Sequence, residues 1–205
     1  MKLYYSPGAC SLAVHIALVE AGIPFDAIKV DLKTHQLASG EDYRAISPRG
    51  YVPLIELDDG SRHTEAAALL QYVGDLDARG LLMPRIGTVP RLAVIEWLTF
   101  VSTELHKTFS PWLFHEEVHA SARELALARL HARFSELDEV LASRDYLSGS
   151  EFTVADAYCF TVVNWSRPLK IDLASYPNLK AYMTRVSKRP KVRETLIAEG
   201  LVRTL

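Results

Sequence analysis

The signals for β-strands in this 205-residue sequence are confined to its first third, and no other feature restricts the possible folds as strongly. Three short apolar or alternating segments predict strands: residues 2–5, 25–32 and 52–57. Asp59-Gly60 is a strong hairpin signal, so we expect residues 61–63 to pair back antiparallel to the third strand. Beyond about residue 85 the apolar spacing is helical only, which predicts an α/β domain followed by an all-α domain.

Two helices alternate with these strands. One begins at Ser11 and ends at Gly22, and the other runs from Glu65 to about Asp77. The resulting order is strand, helix, strand, then strand, strand, helix, and its first crossover should be right-handed with parallel neighbours. This order predicts a thioredoxin-like α/β N-terminal domain at residues 1–79.

The remaining chain predicts an all-α C-terminal helical domain at residues 86–205, joined to the first domain by a linker with glycines and a proline. We expect its helices to begin at five positions: Pro90, about Ala120, Thr153, Pro177 and Pro190. Thr153 and Asp156 resemble a capping box. The helix that they open is apolar on nearly every face, so we expect it at the centre of the domain.

Composition excludes several classes of protein. The formal net charge of −2 argues against a nucleic-acid binder, and no apolar run approaches the roughly 18 residues that a membrane span needs. Pro7-Gly8 breaks the N-terminal apolar run too early for an export signal. Two cysteines do not make a disulfide framework, so we expect a cytoplasmic protein with no nucleic-acid or membrane partner.

Cys10 is the first candidate for chemistry, since it follows a strand and a Pro-Gly turn and precedes a helix. The free N–H groups of the helix start favour a thiolate by about 0.3–1 kcal/mol, so a further donor is needed, which is the hydroxyl or the backbone N–H of Ser11. The alternative is a small residue that fills a turn. Ala13 occupies the position of a second redox cysteine, so any disulfide of Cys10 is formed with an external thiol. Cys159 lies in the apolar helix and is interpreted as buried and inert.

Two further features suggest a site for a peptide. Val52-Pro53 begins the third strand, and a cis bond there would turn the backbone N–H and C=O of Val52 outward, whereas a trans proline at a sheet edge is the alternative. Glu65 and Ala66 lie at a helix start. A carboxylate and free N–H groups at one place suit an amino-acid head group, although a first-turn glutamate is also common without a ligand.

Thr99, Thr103 and His106 are spaced i, i+4 and i+7 on the helix from Pro90, so they are expected on one polar face. A histidine on such a face can donate to a ligand thiolate or take its proton, and a structural histidine is the alternative. The sequence does not decide between these roles.

Five segments together resemble one family: MKLYYSPGACSLA, YVPLIELDDG, TEAAALLQY, STELHK and RPKVRETLIAEGL. They are similar to the bacterial beta-class glutathione transferases over essentially the whole chain. The resemblance implies the glutathione transferase fold, a homodimer, no metal, and glutathione as a co-substrate that lies mostly on the N-terminal domain. It also implies that Cys10 lies beside the glutathione sulfur and can form a mixed disulfide with it.

The resemblance assigns the other site residues as well. Val52 with Pro53 would bind the cysteinyl backbone, and Glu65 with Ala66 the γ-glutamyl end. From the helical domain His106 would approach the sulfur. Four residues would share its helix segment, Thr99, Thr103, Glu104 and Leu105, and Trp165 would help to line the site. His35 stands where the family usually has a lysine for the glycyl carboxylate.

The leading hypothesis is a detoxification enzyme that conjugates glutathione to electrophiles and exchanges thiols through Cys10. We expect the electrophile pocket between residues 110 and 119, near Trp165. A glutathione-dependent reductive dehalogenase or disulfide reductase is the alternative among enzymes. A non-catalytic protein that carries apolar ligands is the alternative of another class.

Overall fold

The computed structural model describes residues 1–203. Its sheet has five strands: β1 (Lys2–Tyr5), β2 (Asp26–Asp31), β3 (Gln36–Leu37), β4 (Leu54–Glu56) and β5 (Arg62–His63). The strand order is β3-β2-β1-β4-β5, with β1 parallel to β2 and antiparallel to β4. Ile55 pairs with His63 across the predicted hairpin, which is therefore confirmed.

Eight α-helices complete the described chain: α1 (Ser11–Ala21), α2 (Ala66–Leu76), α3 (Val89–Phe100), α4 (Lys107–Phe109), α5 (Ala120–Leu141), α6 (Val154–Val163), α7 (Pro177–Ser187) and α8 (Pro190–Ala198). A π-helical segment, Val101–His106, connects α3 to α4, so the chain is helical without a break from residue 89 to residue 109. The predicted order of strands and helices is confirmed. β3 and the π-helical segment were not predicted.

The sequence explains why α6 is central. All ten of its residues are buried, in agreement with its uniformly apolar pattern. The predicted capping box is present, and Asp156 accepts hydrogen bonds from the N–H groups of Leu147 and Thr153 at 2.9 and 2.8 Å. A Cβ atom on Gly74 of α2 would lie 2.7 Å from Cβ of Met83 and 3.1 Å from Val154, so any larger residue would push α2 away from the Met83 segment and from α6.

The C-terminal helix α8 is attached to α1 by charged groups. Arg189 donates two hydrogen bonds to Glu20 at 2.7 and 3.0 Å and lies over the ring of Phe152. Glu199 is buried, and one of its carboxylate oxygens lies 2.8 Å from Nδ1 of His15. These two pairs, at opposite ends of α8, fix α1 against the helical half of the molecule.

None of the helices within residues 1–203 combines the length and the apolar composition that a membrane crossing requires.

Candidate functional site

The turn before Cys10 is held from the helical domain. Gly8 has a φ of +72°, a conformation that glycine adopts without strain. Its N–H donates to Glu199 at 2.9 Å, and its carbonyl accepts from the indole N–H of Trp165 at 2.8 Å. Cys10 follows two residues later at the N-terminus of α1. The position of Cys10 therefore depends on side chains that are about 160 to 190 residues away in sequence.

The thiol of Cys10 is half-buried and donates a hydrogen bond to the carbonyl of Val52 at 3.2 Å. Burial raises the pKa of Cys10 to about 12, although its own and the Ser11 backbone N–H groups and the charge of Lys107 lower it in part. The expectation of a helix-stabilised thiolate is therefore wrong for the protein without a ligand. The loss of solvation exceeds the modest effect of a helix N-terminus.

The hydroxyl of Ser11 is also not available to Cys10. It donates to the carbonyl of Ser6 at 3.2 Å and accepts from the N–H of Ser6 at 3.1 Å, and the side chain is buried. Of the two roles predicted for Ser11, only that of its backbone N–H remains. Cys159 is fully buried, and burial raises its pKa above the usual range, as expected of an inert cysteine.

The Val52–Pro53 peptide bond is cis, which settles the question that the sequence left open. Glu65 directly precedes α2 and has a φ of +71°, so the helix begins at Ala66, one residue later than predicted. The carboxylate of Glu65 is exposed and contacts Arg49 at 3.2 Å. An exposed carboxylate thus lies next to the free N–H groups of a helix start.

His35 lies on the loop that precedes these residues, and its φ is +55°. Its ring packs so closely on Gly50 that a Cβ atom there would lie 2.5 Å from Nδ1. Nδ1 is buried and has no hydrogen-bond partner among residues 1–203. The imidazole is therefore held beside the segment that leads to Val52.

His106 is the last residue of the π-helical segment and is half-buried. Its Nδ1 lies 2.7 Å from the hydroxyl of Tyr158, and its ring meets that of Trp165 edge-on at 4.9 Å between centroids. Burial, with the adjacent charge of Lys107, lowers the pKa of His106 to about 4. The imidazole is therefore neutral near pH 7, and a neutral ring carries one donor and one acceptor.

The predicted polar face on this helix needs correction. Thr99 and Thr103 are exposed, and their hydroxyls donate to the backbone carbonyls of Ile95 and Thr99 at 2.8 and 3.0 Å. The prediction assumed α-helical spacing up to His106. The i→i+5 pattern of the π segment changes that phase, so the common face does not follow.

Two other candidates on this segment serve packing. Glu104 accepts hydrogen bonds from Arg129 and Arg133 of α5, at 3.0 and 2.8 Å. Leu105 is fully buried in the hydrophobic core. Their side chains are thus directed to α5 and to the core, and only their place in the sequence links them to the site.

Aromatic side chains form a wall next to His106. Trp165 packs edge-on against Phe109 and Phe114, at 5.7 and 5.6 Å between centroids. Phe114 is partly exposed and belongs to the segment where the electrophile pocket was expected. Lys107 and Tyr158 were not predicted near His106, because in the sequence the first is one charge on a helix surface and the second is one hydroxyl in an apolar helix.

Among residues 1–203 no group of three or more histidine, cysteine, aspartate or glutamate side chains is arranged to hold a metal ion.

Two family descriptions match the chain. "Glutathione S-transferase, N-terminal domain" matches residues 8–76, and "Glutathione S-transferase, C-terminal domain" matches residues 100–190. Among curated proteins, glutathione S-transferase GstA of Escherichia coli O157:H7 is 42% identical over 98% of this chain and 100% of its own. Disulfide-bond oxidoreductase YfcG of Escherichia coli K12 is 30% identical over 98% of this chain and 96% of its own.

Two solved structures have the same fold over nearly the whole chain. The bacterial beta-class glutathione S-transferase of Sphingomonas chungbukensis has a TM-score of 0.93 at 44% identity. A sphingomonad glutathione S-transferase complexed with glutathione has a TM-score of 0.93 at 41% identity. In both comparisons 98% of this chain and 100% of the other are covered.

The geometry around Cys10 predicts slow alkylation of the ligand-free protein. In a Cys159→Ala variant, the reaction of Cys10 with iodoacetamide should accelerate continuously up to about pH 9, because a pKa of about 12 leaves roughly one thiolate in 10⁵ at pH 7. Lys107→Ala should slow the reaction further, whereas Lys170→Ala, which removes a cation elsewhere, should not. A rate that reaches its plateau between pH 7 and 8 would contradict this.

Proposed function

The chain belongs to the glutathione S-transferase family and is a glutathione S-transferase of the beta-class type, and we propose that it also exchanges thiols with glutathione through a mixed disulfide on Cys10. Oxidised glutathione would be attacked by the Cys10 sulfur, which forms the Cys10–glutathione disulfide and releases one molecule of reduced glutathione. A second molecule of glutathione would then release Cys10 and regenerate oxidised glutathione. Both steps conserve atoms and electrons.

The observation that carries this proposal is the 3.2 Å hydrogen bond from Cys10 to the Val52 carbonyl. We propose that the backbone of the cysteinyl residue of glutathione binds to Val52, beside Pro53. The sulfur of the tripeptide then lies next to Cys10. A peptide N–H that takes the Val52 carbonyl frees the Cys10 thiol from its acceptor, so binding itself prepares the thiol for exchange.

The two ends of the tripeptide have separate places in this proposal. The ammonium of the γ-glutamyl end binds the exposed carboxylate of Glu65, which exchanges its contact with Arg49 for the ligand. The α-carboxylate of the same γ-glutamyl end meets the free N–H groups at Ala66. The glycyl carboxylate binds His35. We keep Thr99 and Thr103 as polar neighbours of the site, because both side chains are exposed on the helix that leads to His106.

Conjugation uses the opposite side of the site. His106 donates a hydrogen bond to the glutathione sulfur, and an apolar electrophile packs on the wall that contains Trp165 and Phe114. A donor at a developing or existing thiolate favours the nucleophilic form of glutathione. The two sides of the site correspond to the N-terminal and helical domains, whose proposed bounds are residues 1–79 and 86–205. We propose that the enzyme is cytoplasmic.

A disulfide reductase is the second candidate, because a 30% identical relative is a disulfide-bond oxidoreductase. Ala13 excludes an internal dithiol cycle at Cys10, so glutathione would supply the second thiol. Turnover with a disulfide substrate, compared with turnover with an aryl halide, separates this reaction from conjugation. The transferase activity of the family leaves the non-catalytic alternative without support.

Exposure to oxidised glutathione should add a single glutathionyl group, on Cys10. The adduct should be stable, since Ala13 provides no resolving thiol, and it should be absent in Cys10→Ala and retained in Cys159→Ala. Intact-protein mass spectrometry with peptide mapping measures it. An adduct on Cys159, or one that persists in Cys10→Ala, would overturn the thiol-exchange proposal while leaving the transferase activity in place.

His35 should strengthen the binding of glutathione, because the proposed site places its ring beside the glycyl carboxylate. Calorimetry with S-methylglutathione should show several-fold lower affinity in His35→Ala and at least wild-type affinity in His35→Lys, since a lysine places a positive charge at the same position. His131→Ala, an exposed control on α5, should keep the wild-type affinity. Wild-type affinity in His35→Ala would refute this role.

We propose a homodimer, because large apolar side chains are exposed on α2 and α3. Val89 is 79% exposed and Leu92 is 55% exposed, with Tyr72 and Leu76 on the neighbouring helix. Light scattering at micromolar concentration should give about twice 22.9 kDa, and Leu92→Glu should shift it towards the monomer by burying an unpaired charge. Ala181→Glu, exposed on α7, is the control. A wild-type monomer would exclude this interface.

A further inference from the structure

The hydroxyl of Tyr158 makes the shortest contact to the imidazole of His106. Tyr158 belongs to the central helix α6 and is only 2% exposed, and its oxygen lies 2.7 Å from Nδ1 of His106. Such a buried hydroxyl needs an acceptor for its proton. The nitrogen of His106 is the one hydrogen-bond partner of this hydroxyl at a distance of 3.5 Å or less within residues 1–203.

The direction of this hydrogen bond follows from the chemistry of the two groups. Burial raises the pKa of Tyr158 above its usual range, so the phenol keeps its proton. The described residues offer this proton one acceptor, Nδ1 of His106, because the hydroxyl has no other hydrogen-bond partner among them. A bond in the opposite direction would leave the phenol proton buried without an acceptor, so Tyr158 donates and Nδ1 accepts.

We propose that Tyr158 is a positioning residue, whose hydroxyl donates to Nδ1 of His106 and thereby fixes the imidazole as the Nε2–H tautomer. The second nitrogen then carries a proton and faces the ligand as a hydrogen-bond donor. This proposal rests on the proposed role of His106 at the glutathione sulfur. It assigns to His106 the donation of a hydrogen bond and excludes the removal of a proton by Nε2.

The surroundings of the ring support this assignment. Trp165 meets His106 edge-on, with 78° between the ring planes, and its indole N–H is anchored on Gly8. Exchange of the two nitrogens by a ring flip would therefore require movement of an anchored indole. Lys107 follows directly in sequence and disfavours a second proton on the ring. The imidazole thus remains neutral with one defined tautomer.

The tautomer is measured directly by nuclear magnetic resonance of protein labelled with ¹⁵N-histidine. Nitrogens with and without a proton differ strongly in chemical shift, and His106→Ala identifies which signals belong to His106. The expected result for the wild type is a proton on Nε2 and none on Nδ1. A proton on Nδ1 in the wild type overturns the proposal, whether or not any variant folds.

The chain contains a matched control pair. Nδ1 of His131 lies 2.8 Å from the hydroxyl of Tyr176, between α5 and the residue before α7. Tyr158→Phe should alter the His106 signals and leave those of His131 unchanged, and Tyr176→Phe should do the reverse. Both changes remove one phenolic oxygen, so a general loss of folding would affect the two histidines alike.

Kinetics then test the consequence for catalysis. Tyr158→Phe should lower conjugation turnover by roughly 10- to 100-fold, as a small error in positioning does, with little change in the KM for glutathione. In a His106→Ala background, Tyr158→Phe should have no further effect, because Tyr158 acts only through His106. Tyr176→Phe should leave turnover unchanged.

The outcomes separate this inference from the proposed function. A loss of turnover on Tyr158→Phe that persists in the His106→Ala background would overturn the positioning role. Unchanged turnover in His106→Ala would overturn the role of His106 at the sulfur, whereas the spectra would still decide which nitrogen accepts from Tyr158. If Tyr158→Phe alters the His106 signals but keeps wild-type turnover, the proposed effect of Tyr158 on conjugation is overturned.

Discussion

The two hydrogen bonds to the peptide groups of Gly8 are the constraint on which the site depends. They come from Trp165 at the end of α6 and from Glu199 after α8, so the helical domain fixes the turn that presents Cys10. Glu199 also contacts His15 in the middle of α1, and Arg189 binds Glu20 near the C-terminal end of that helix. A cysteine at a helix start in an isolated α/β domain would lack these contacts, so the chemistry needs both halves of the chain.

Desolvation decides the ionisation of Cys10. A helix N-terminus contributes about 0.3–1 kcal/mol in favour of an anion, which is too little against burial beside an apolar core. The Val52 carbonyl also stabilises the protonated thiol, because it can only accept. The thiol of Cys10 is therefore protected from oxidation in the ligand-free site, since the thiolate is the reactive form.

The fold was predictable from the sequence wherever a residue pattern corresponds to a single local structure. Alternation, the Asp59-Gly60 hairpin, the capping box at Thr153 and the prolines at helix starts gave the correct order of elements. The two-residue strand β3 was missed because two residues carry no period. Cys10, Glu65 and His106 could be proposed as site residues from the sequence. The pKa shifts of Cys10 and His106 could not be predicted, because burial and hydrogen-bond partners arise only from tertiary packing.

The π-helical segment shows where sequence patterns cease to be informative. Residues 99–106 have the spacing of a polar α-helical face, yet the wider i→i+5 turn ends at His106 and brings its Nδ1 to Tyr158. A regular α-helix would place His106 in a different rotational phase relative to α6, and the hydrogen bond to Tyr158 depends on that phase. The same segment directs Glu104 to α5 and Leu105 to the core. An irregularity of the backbone, held by packing on both sides, thus determines where the His106 side chain lies relative to α6.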